Sequence, residues 1–518
     1  MTSGGPVHTI LLDGRSLTYG DLRTLARESP GTGVRLRADS AALARVRRSR
    51  AIVERALREG KVLYGVNTGF GRMADTRVPP ERLEELQHNL LRSHACGLGA
   101  PIRETGLVLA LRANALLLGY SGVTPELPRF LIELYNRGVE PVILEQGSVG
   151  ASGDLAPLAQ LGCLMAGQGE AWVRNRRMGA RAALRRAGLE PYRFRAKEAL
   201  ALINGTSFTA ALLARAVADA ETLLKLADLA GAMSLEALKG SLKPFDARFH
   251  RHRPHPGQLA VARNFRTLLA SSEVLESHRH CRKVQDAYSL RCIPQVHGAA
   301  RDAWAAARDI LVREANSVTD NPLVFENGEI LSGGAFHGQA LAQAADALSA
   351  ALVSVANISE RRIDRMTNPD LSELPPFLVR EGGLHSGYMM VQVAAAAVAA
   401  ECRADAAPAS VHSIPTGASK EDHVPMAPLA VRRLRRVLDN TRKVVGMELL
   451  LAAQGLDFLR PLRPGRGVQA AYRRLRREIP HLARDRYLLP ELKKATSPES
   501  RLPEAVLEAA EREVGPLA

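Results

Sequence analysis

Apolar positions recur at three- and four-residue steps along most of this 518-residue chain, the spacing that gives an α-helix one buried face. AIVERALREG (51–60) and ELPRFLIELYNRG (126–138) are short examples, each closed by a glycine. Longer helical runs are predicted at 207–240, 296–315, 338–366, 388–405 and 427–456. Many of them carry Ala on more than one face, and a helix that is apolar on most sides must be surrounded by other helices. The pattern therefore predicts a mainly α fold with a long central helical bundle extended by oligomerisation. Strand-like patterning is confined to two expected hairpins, at 7–19 around Asp13-Gly14 and in FENGEILSG around Asn327-Gly328. A smaller mixed N-terminal region is placed at 1–205, and the long-helix core with a C-terminal helical region at 206–518.

Composition narrows the class without naming a chemistry. Hydrophobic residues are 46% and charged residues 24%, which excludes a long disordered polymer. The five cysteines, Cys96, Cys163, Cys281, Cys292 and Cys402, are odd in number and include no CxxC; a reducing, cytoplasmic setting fits them. The N-terminus lacks the basic-then-apolar pattern of a leader. The window 382–400 has no Asp, Glu, Lys or Arg but contains His385, Ser386, Gln392 and three glycines; it reads as a buried helix with its preceding loop, not a membrane span. Lys plus Arg exceed Asp plus Glu by 70 to 54, a net charge of +16. A basic helical nucleic-acid-binding protein is the competing class, through Arg432-Arg433, Arg435-Arg436, Arg473-Arg474 and Arg476-Arg477. These fall at helical spacing beside apolar residues and read as solvated helix faces, and aromatic content is only 4%, so no nucleic-acid partner is expected. His250, His252 and His255 read as part of a structured loop; no metal is expected.

One loop carries chemistry. In EQGSVGASGDLAPLAQLG (145–162), three glycines punctuate the chain before Asp154 opens a helix that Gly167 can close. If the turn presses the Gly153 nitrogen against the Ala151 carbonyl carbon, a five-membered ring can close, proximity replacing a very high effective concentration. Loss of water from the ring and from Ser152 then yields a 4-methylidene-imidazol-5-one, an electrophile built from Ala151-Ser152-Gly153 with no external cofactor. No ordinary side chain is a good electrophile.

GSVGASGDLAPLAQ resembles the electrophile-forming signature of the aromatic amino acid ammonia-lyase family. The resemblance extends over LYGVNTGFG (63–71), LLRSHACGLG (90–99), LINGTS (202–207), PFDARFHRHRPHPGQ (244–258), QDAYSLRCIPQVHG (285–298), NSVTDNPL (316–323), SERRID (359–364), ASVHSIPTGASKEDHV (409–424) and QGLDFLRPL (454–462). It implies an ammonia-lyase/fumarase-like fold and a homotetramer whose active sites draw loops from three subunits. Ammonia elimination needs an expelled amine and a removed β-hydrogen. By resemblance, the amine adds to the methylidene carbon from Ser152, and Tyr64 is the base. A phenol ordinarily titrates near pH 10, so the base position calls for nearby positive charge or helix dipoles. The starts of helices near Asp154, Thr206 and Pro294 would supply it if they converged. Arg291 matches the arginine that forks onto the substrate carboxylate. Tyr288 matches a second active-site tyrosine, Asn204 the asparagine beside the electrophile, and Phe336 an aromatic lining it.

Substrate choice rests on His94, which matches a ring-binding histidine, and on Glu421, which matches an acidic residue of histidine-specific members. A carboxylate can accept from an imidazole N–H and is left unpaired against phenyl. The implied reaction converts L-histidine to trans-urocanate and ammonia. Ser207, His412, Lys420, His385 and Ala335 depart from the histidine-specific pattern, so a tyrosine or phenylalanine lyase and a 2,3-aminomutase remain as alternatives.

Overall fold

The computed structural model describes residues 8–281 and 283–518. Residues 1–7, which begin the stretch considered as a leader, and Arg282 lie outside the described residues. Helix dominates, accompanied by small two- and three-stranded sheets. The long helices are Ser207–Ala237, Ile293–Ala315, Gln339–Thr367 and Ala427–Asp457, within a few residues of the runs predicted from apolar spacing. The hairpin at Asn327-Gly328 forms as expected, with Leu323–Val324 antiparallel to Ile330–Leu331.

The N-terminal hairpin does not form. His8–Leu12 is a strand, but it pairs in parallel with Val34–Ala38, from His8↔Val34 to Leu12↔Ala38. The Asp13 carboxylate accepts from the backbone of Arg15 and Ser16 at 2.7 and 2.9 Å, and Thr18 and Asp21 then form a capping box that starts the helix Tyr19–Arg27. Residues expected to return as a second strand thus belong to a helix N-terminus.

The chain forms two compact units. The first gathers Met1–Ala218, Ala307–Ala345 and Pro408–Arg432, so the 205/206 boundary falls inside it. Its core includes Thr105–Leu117, buried at every position, and Glu198–Ile203, likewise buried throughout. Helices Leu83–His94, Leu155–Met165 and Glu198–Ile203 pack on one another. Nearby, Val53, Val66, Leu83, Ala196 and Val324 form an apolar cluster that takes in Leu63 and so seats the loop carrying Tyr64.

The second unit gathers Asp219–Ala306, Asp346–Ala407 and Arg433–Ala518. Arg466–Arg476 packs on Leu502–Val514, and both meet Pro256–Leu268. The window 382–400 is not a buried helix. It contains the start of the helix Met389–Asp405, in which only Val391, Ala395, Ala399 and Cys402 are buried, a single stripe at three- and four-residue spacing. Met390 is 67% exposed and Val393 47%. Among the described residues one helix, Gln339–Thr367, is long and apolar enough to cross a membrane by length and composition, and most of its apolar stretch is buried by the protein itself.

Candidate functional site

Two helix starts meet at the glycine-rich loop. Asp154 immediately precedes Leu155–Met165, and its backbone N–H donates to Gly205 O at 2.7 Å. Gly205 in turn lies just ahead of Ser207–Ala237. Thr209, in the first turn of that second helix, donates to the Asp154 carboxylate from its backbone N–H and its hydroxyl, both at 2.8 Å. One helix entrance therefore caps the other. Burial pushes the Asp154 carboxyl up to about 6 against these bonds. Thr206 Oγ1 donates to Glu314 at 2.5 Å, and burial pushes Glu314 up as well. Of the three helix starts singled out in the sequence, those at Asp154 and Thr206 converge in the first unit. Pro294 belongs to the start of Ile293–Ala315, in the second unit.

The tripeptide is held at this junction. Gly153 pairs with Gly205 in a parallel bridge. Its φ is +69°, and a Cβ there would lie 2.4 Å from the Gly205 nitrogen, so only glycine fits. Asn204 Nδ2 donates to Ser152 O at 2.8 Å, while Asn204 Oδ1 is buried without a partner. Ser152 Oγ donates to Glu421 Oε1 at 2.6 Å. The other Glu421 oxygen accepts from Thr416 Oγ1 across the turn that pairs Thr416 with Glu421. Ser93, His94, Cys96, Ser148, Ala151, Ser152, Gly153, Thr416 and Glu421 line a common cleft of 320 Å3, at the lower end of the range for small-molecule sites. These residues fit a methylidene-imidazolone: the attacking position is an obligate glycine, and a buried amide polarises the carbonyl between it and Ser152.

Behind the loop lies Arg112, completely buried. Its Nη1 donates to Asn204 O at 3.2 Å and to Thr319 Oγ1 at 3.5 Å, and its Nε and Nη2 have no partner. Burial pulls the guanidinium down to about 10, opposed by Asp320 and Asp154. Lys197, also buried, pairs with Asp320 at 2.8 Å. The sequence did not single out Arg112, Glu314, Ser148 or Thr416. Thr416 had a local signal, since it opens the six-residue turn that Glu421 closes. Arg112 and Glu314 had none, because on a helix a charged residue ordinarily faces water.

The other expected site residues divide between the units. His94 ends the helix Leu83–His94; its Nδ1–H donates to Leu90 O at 2.9 Å, which leaves the lone pair of the neutral ring on Nε2. Burial lowers its pKa, opposed by the Leu90 bond and by Glu421. Phe336 lies two residues before Gly338, whose N–H donates to Gly150 O at 3.0 Å, so its loop is tied to the glycine-rich loop that carries Ser152. Tyr64 is half-buried, and its hydroxyl accepts from Gly71 N at 3.4 Å. The turn Gly71–Met73 packs on Gly417–Ser419, next to Glu421. Tyr288 and Arg291 belong to the second unit, on the short helix Tyr288–Arg291, where the guanidinium lies 4.4 Å over the tyrosine ring.

Size alone does not select this site. A larger cleft of 550 Å3 in the second unit is lined by Lys239, Lys243, His278, Arg279 and Lys283 and contains none of the residues above. Some members of the arginine clusters are paired within the chain: Arg436 with Asp405, Arg476 with Asp457, and Arg433 with the Ala407 carbonyl. Both ring nitrogens of His250 are engaged, by Pro244 O and Gln258 Nε2.

The family model described as "Aromatic amino acid lyase" matches residues 17–477. A histidine ammonia-lyase from Anaeromyxobacter sp. (strain K) is 49% identical over 95% of this chain and 98% of its own. The crystal structure of a histidine ammonia-lyase from Trypanosoma cruzi superposes with a TM-score of 0.88 at 40% identity, covering 98% of this chain and 96% of that one. A tyrosine aminomutase from Streptomyces globisporus gives 0.92 at 36% identity, covering 98% and 100%.

Proposed function

We propose that this chain, which belongs to the aromatic amino acid lyase family and is a carbon–nitrogen lyase, eliminates ammonia from L-histidine to give trans-urocanate. The observation that carries the reading is the Ser152–Glu421 hydrogen bond. It joins the electrophile-forming serine to the carboxylate expected to read an imidazole, in a cleft that His94 also lines. A methylidene-imidazolone derived from Ala151-Ser152-Gly153 supplies an electrophilic carbon for the substrate amine, a function no side chain provides.

The remaining work falls to ordinary residues. Arg291 forks onto the substrate carboxylate, and Tyr288 beside it orders the same end. Glu421 accepts from the imidazole N–H, and His94 lines the same cleft beside it. Tyr64 removes the β-hydrogen once the ring and carboxylate are fixed, and Phe336 closes the electrophile's surroundings to water. Asn204, with Arg112 on its carbonyl, biases the Ser152 carbonyl towards negative charge. The exposed apolar residues Met390, Val393, Val411 and Ile414 support assembly with further copies, as a homotetramer in which neighbouring subunits complete each cleft. Activity should then disappear on dilution to monomers.

The substrate is tested by offering L-histidine, L-tyrosine and L-phenylalanine separately and following ammonia and the conjugated acrylate. Histidine turnover is expected, and Ser152→Ala should reduce it by at least about a thousandfold with secondary structure unchanged. Turnover of tyrosine alone would overturn the histidine assignment. The likeness to a tyrosine aminomutase, together with Ser207 and His412, supports a second reading, a β-amino acid product without net ammonia release, which is tested by following the β-amino acid itself beside the ammonia and acrylate readouts.

A further inference from the structure

Glu421 is placed against the serine that must be dehydrated, and this points to a task earlier than substrate turnover. Its Oε1 receives the Ser152 hydroxyl at 2.6 Å, and its second oxygen is fixed by the Thr416 hydroxyl. The short turn between Thr416 and Glu421 is itself paired by backbone bonds in both directions, at 2.9 and 3.3 Å. The carboxylate is thus held rigidly on a hydroxyl that no mature electrophile retains. Ser152 Cα lies two bonds from that hydroxyl oxygen. Glu421 is the one carboxylate among the residues lining the cleft; Asp154, the other acid at the loop, does not line it and is engaged by Thr209 and by Ser148.

We infer that Glu421 is the proton carrier for the second dehydration of the chain's self-processing, a role that rests on the lyase reading above and precedes it in time. The steps balance as follows. The Gly153 nitrogen adds to the Ala151 carbonyl carbon. The Ala151 oxygen departs as the first water, with the protons of the Gly153 and Ser152 amides, and leaves a double bond from that carbon to the Ser152 nitrogen. Glu421 then takes the proton from Ser152 Cα, the Cα–Cβ double bond forms, and the Cβ–Oγ bond breaks. Oγ leaves as the second water with the proton that Glu421 returns. The carboxylate ends as it began, and no oxidant or external reagent is consumed. Asn204, donating to the Ser152 carbonyl, stabilises the negative charge that spreads onto that oxygen when Cα loses its proton.

Each lost water lowers the mass by about 18 Da, so the two steps separate on the intact-protein scale. Wild-type chain purified after full maturation should be about 36 Da lighter than its sequence. Glu421→Gln keeps one acceptor and offers a donor that the other hydroxyl can accept from, but it cannot carry a proton, and it should accumulate a species only about 18 Da lighter, cyclised yet retaining the serine hydroxyl, without the near-ultraviolet absorbance of the conjugated methylidene. Thr416→Val, which frees one carboxylate oxygen, should slow appearance of the absorbance several-fold in freshly synthesised protein and still reach the full deficit. Complete loss of about 36 Da in Glu421→Gln at the wild-type rate would overturn the inference and leave the lyase reading standing. A wild-type chain with no mass deficit would instead overturn the lyase reading itself. Because Glu421 is only half-buried and glutamine has the same shape, the variant is expected to fold, and unaltered circular dichroism verifies this alongside the mass.

Discussion

Arg112 in the first unit and Arg362 in the second are the two largest side chains that are fully buried among the described residues, and their surroundings differ. Arg362 is satisfied in nearly every direction. Its Nε and Nη2 meet Glu448 at 2.5 and 2.9 Å, Nη1 donates to Ser289 O at 3.3 Å, and Glu448 also receives Ser234 and Ser359. Arg112 has only two long bonds from one nitrogen and no carboxylate in direct contact. Fully paired buried charge fixes a framework, whereas an incompletely paired donor holds electrostatic capacity for charge that appears during a reaction. Arg362 holds the turn that carries Tyr288 and Arg291; Arg112 stands behind Asn204 and the electrophile loop.

The contrast is open to attack from several sides. The largest effect is expected for Arg362→Met, which strands Glu448 in the interior. It should cost about 3–5 kcal/mol in denaturant unfolding, and a loss below about 1 kcal/mol would deny the pair its structural role. A pH effect comes next. The Asp154 carboxyl is raised from 3.8 to about 6 in the folded state. Between those values the folded protein therefore retains a proton that the unfolded chain has released. Its contribution is complete below about pH 4 and lost as pH rises through about 6, amounting to roughly 3 kcal/mol. Asp154→Asn should remove that slope from a series of unfolding midpoints. The smallest stability change, about 1–2 kcal/mol, is expected for Arg112→Met, because no carboxylate is left bare. Its kcat should nevertheless fall about 10–100-fold with KM little altered. An unchanged kcat, or a stability loss equal to that of Arg362→Met, would erase the distinction between the two arginines.

The long helices and the tripeptide were legible because their signals are local: apolar spacing for the first, a short string for the second. Strings also point to Glu421 and Asn204, and the structure brings both to Ser152, although Glu421 lies 269 positions further along the chain. What joins them is tertiary, and spacing cannot encode it. The strand pattern of His8–Leu12 is visible in the sequence, but Asp13-Gly14 signals a turn without specifying where the chain goes next, and the strand's partner is Val34–Ala38. Ala-rich composition describes what a helix can bury, so Met389–Asp405 looks buried in the sequence, whereas only a stripe of it is covered. Arg112 was invisible for the opposite reason. In LVLALRANALL it looks like the polar member of an amphipathic helix, and only the surrounding elements reveal that Thr105–Leu117 has no outer face.

The paired glycines carry a consequence for anyone reshaping this catalyst. A Cβ at Gly153 would strike Gly205, and a Cβ at Gly205 would lie 2.1 Å from Arg112 Nη1. Each vacancy is occupied by its neighbour, so the two codons cannot compensate for one another by exchanging bulk. A mutagenesis library aimed at new substrates is better spent at His94, which lines the cleft with a side chain. At positions 153 and 205 the accessible alphabet has one letter, and diversity spent there is lost before selection begins.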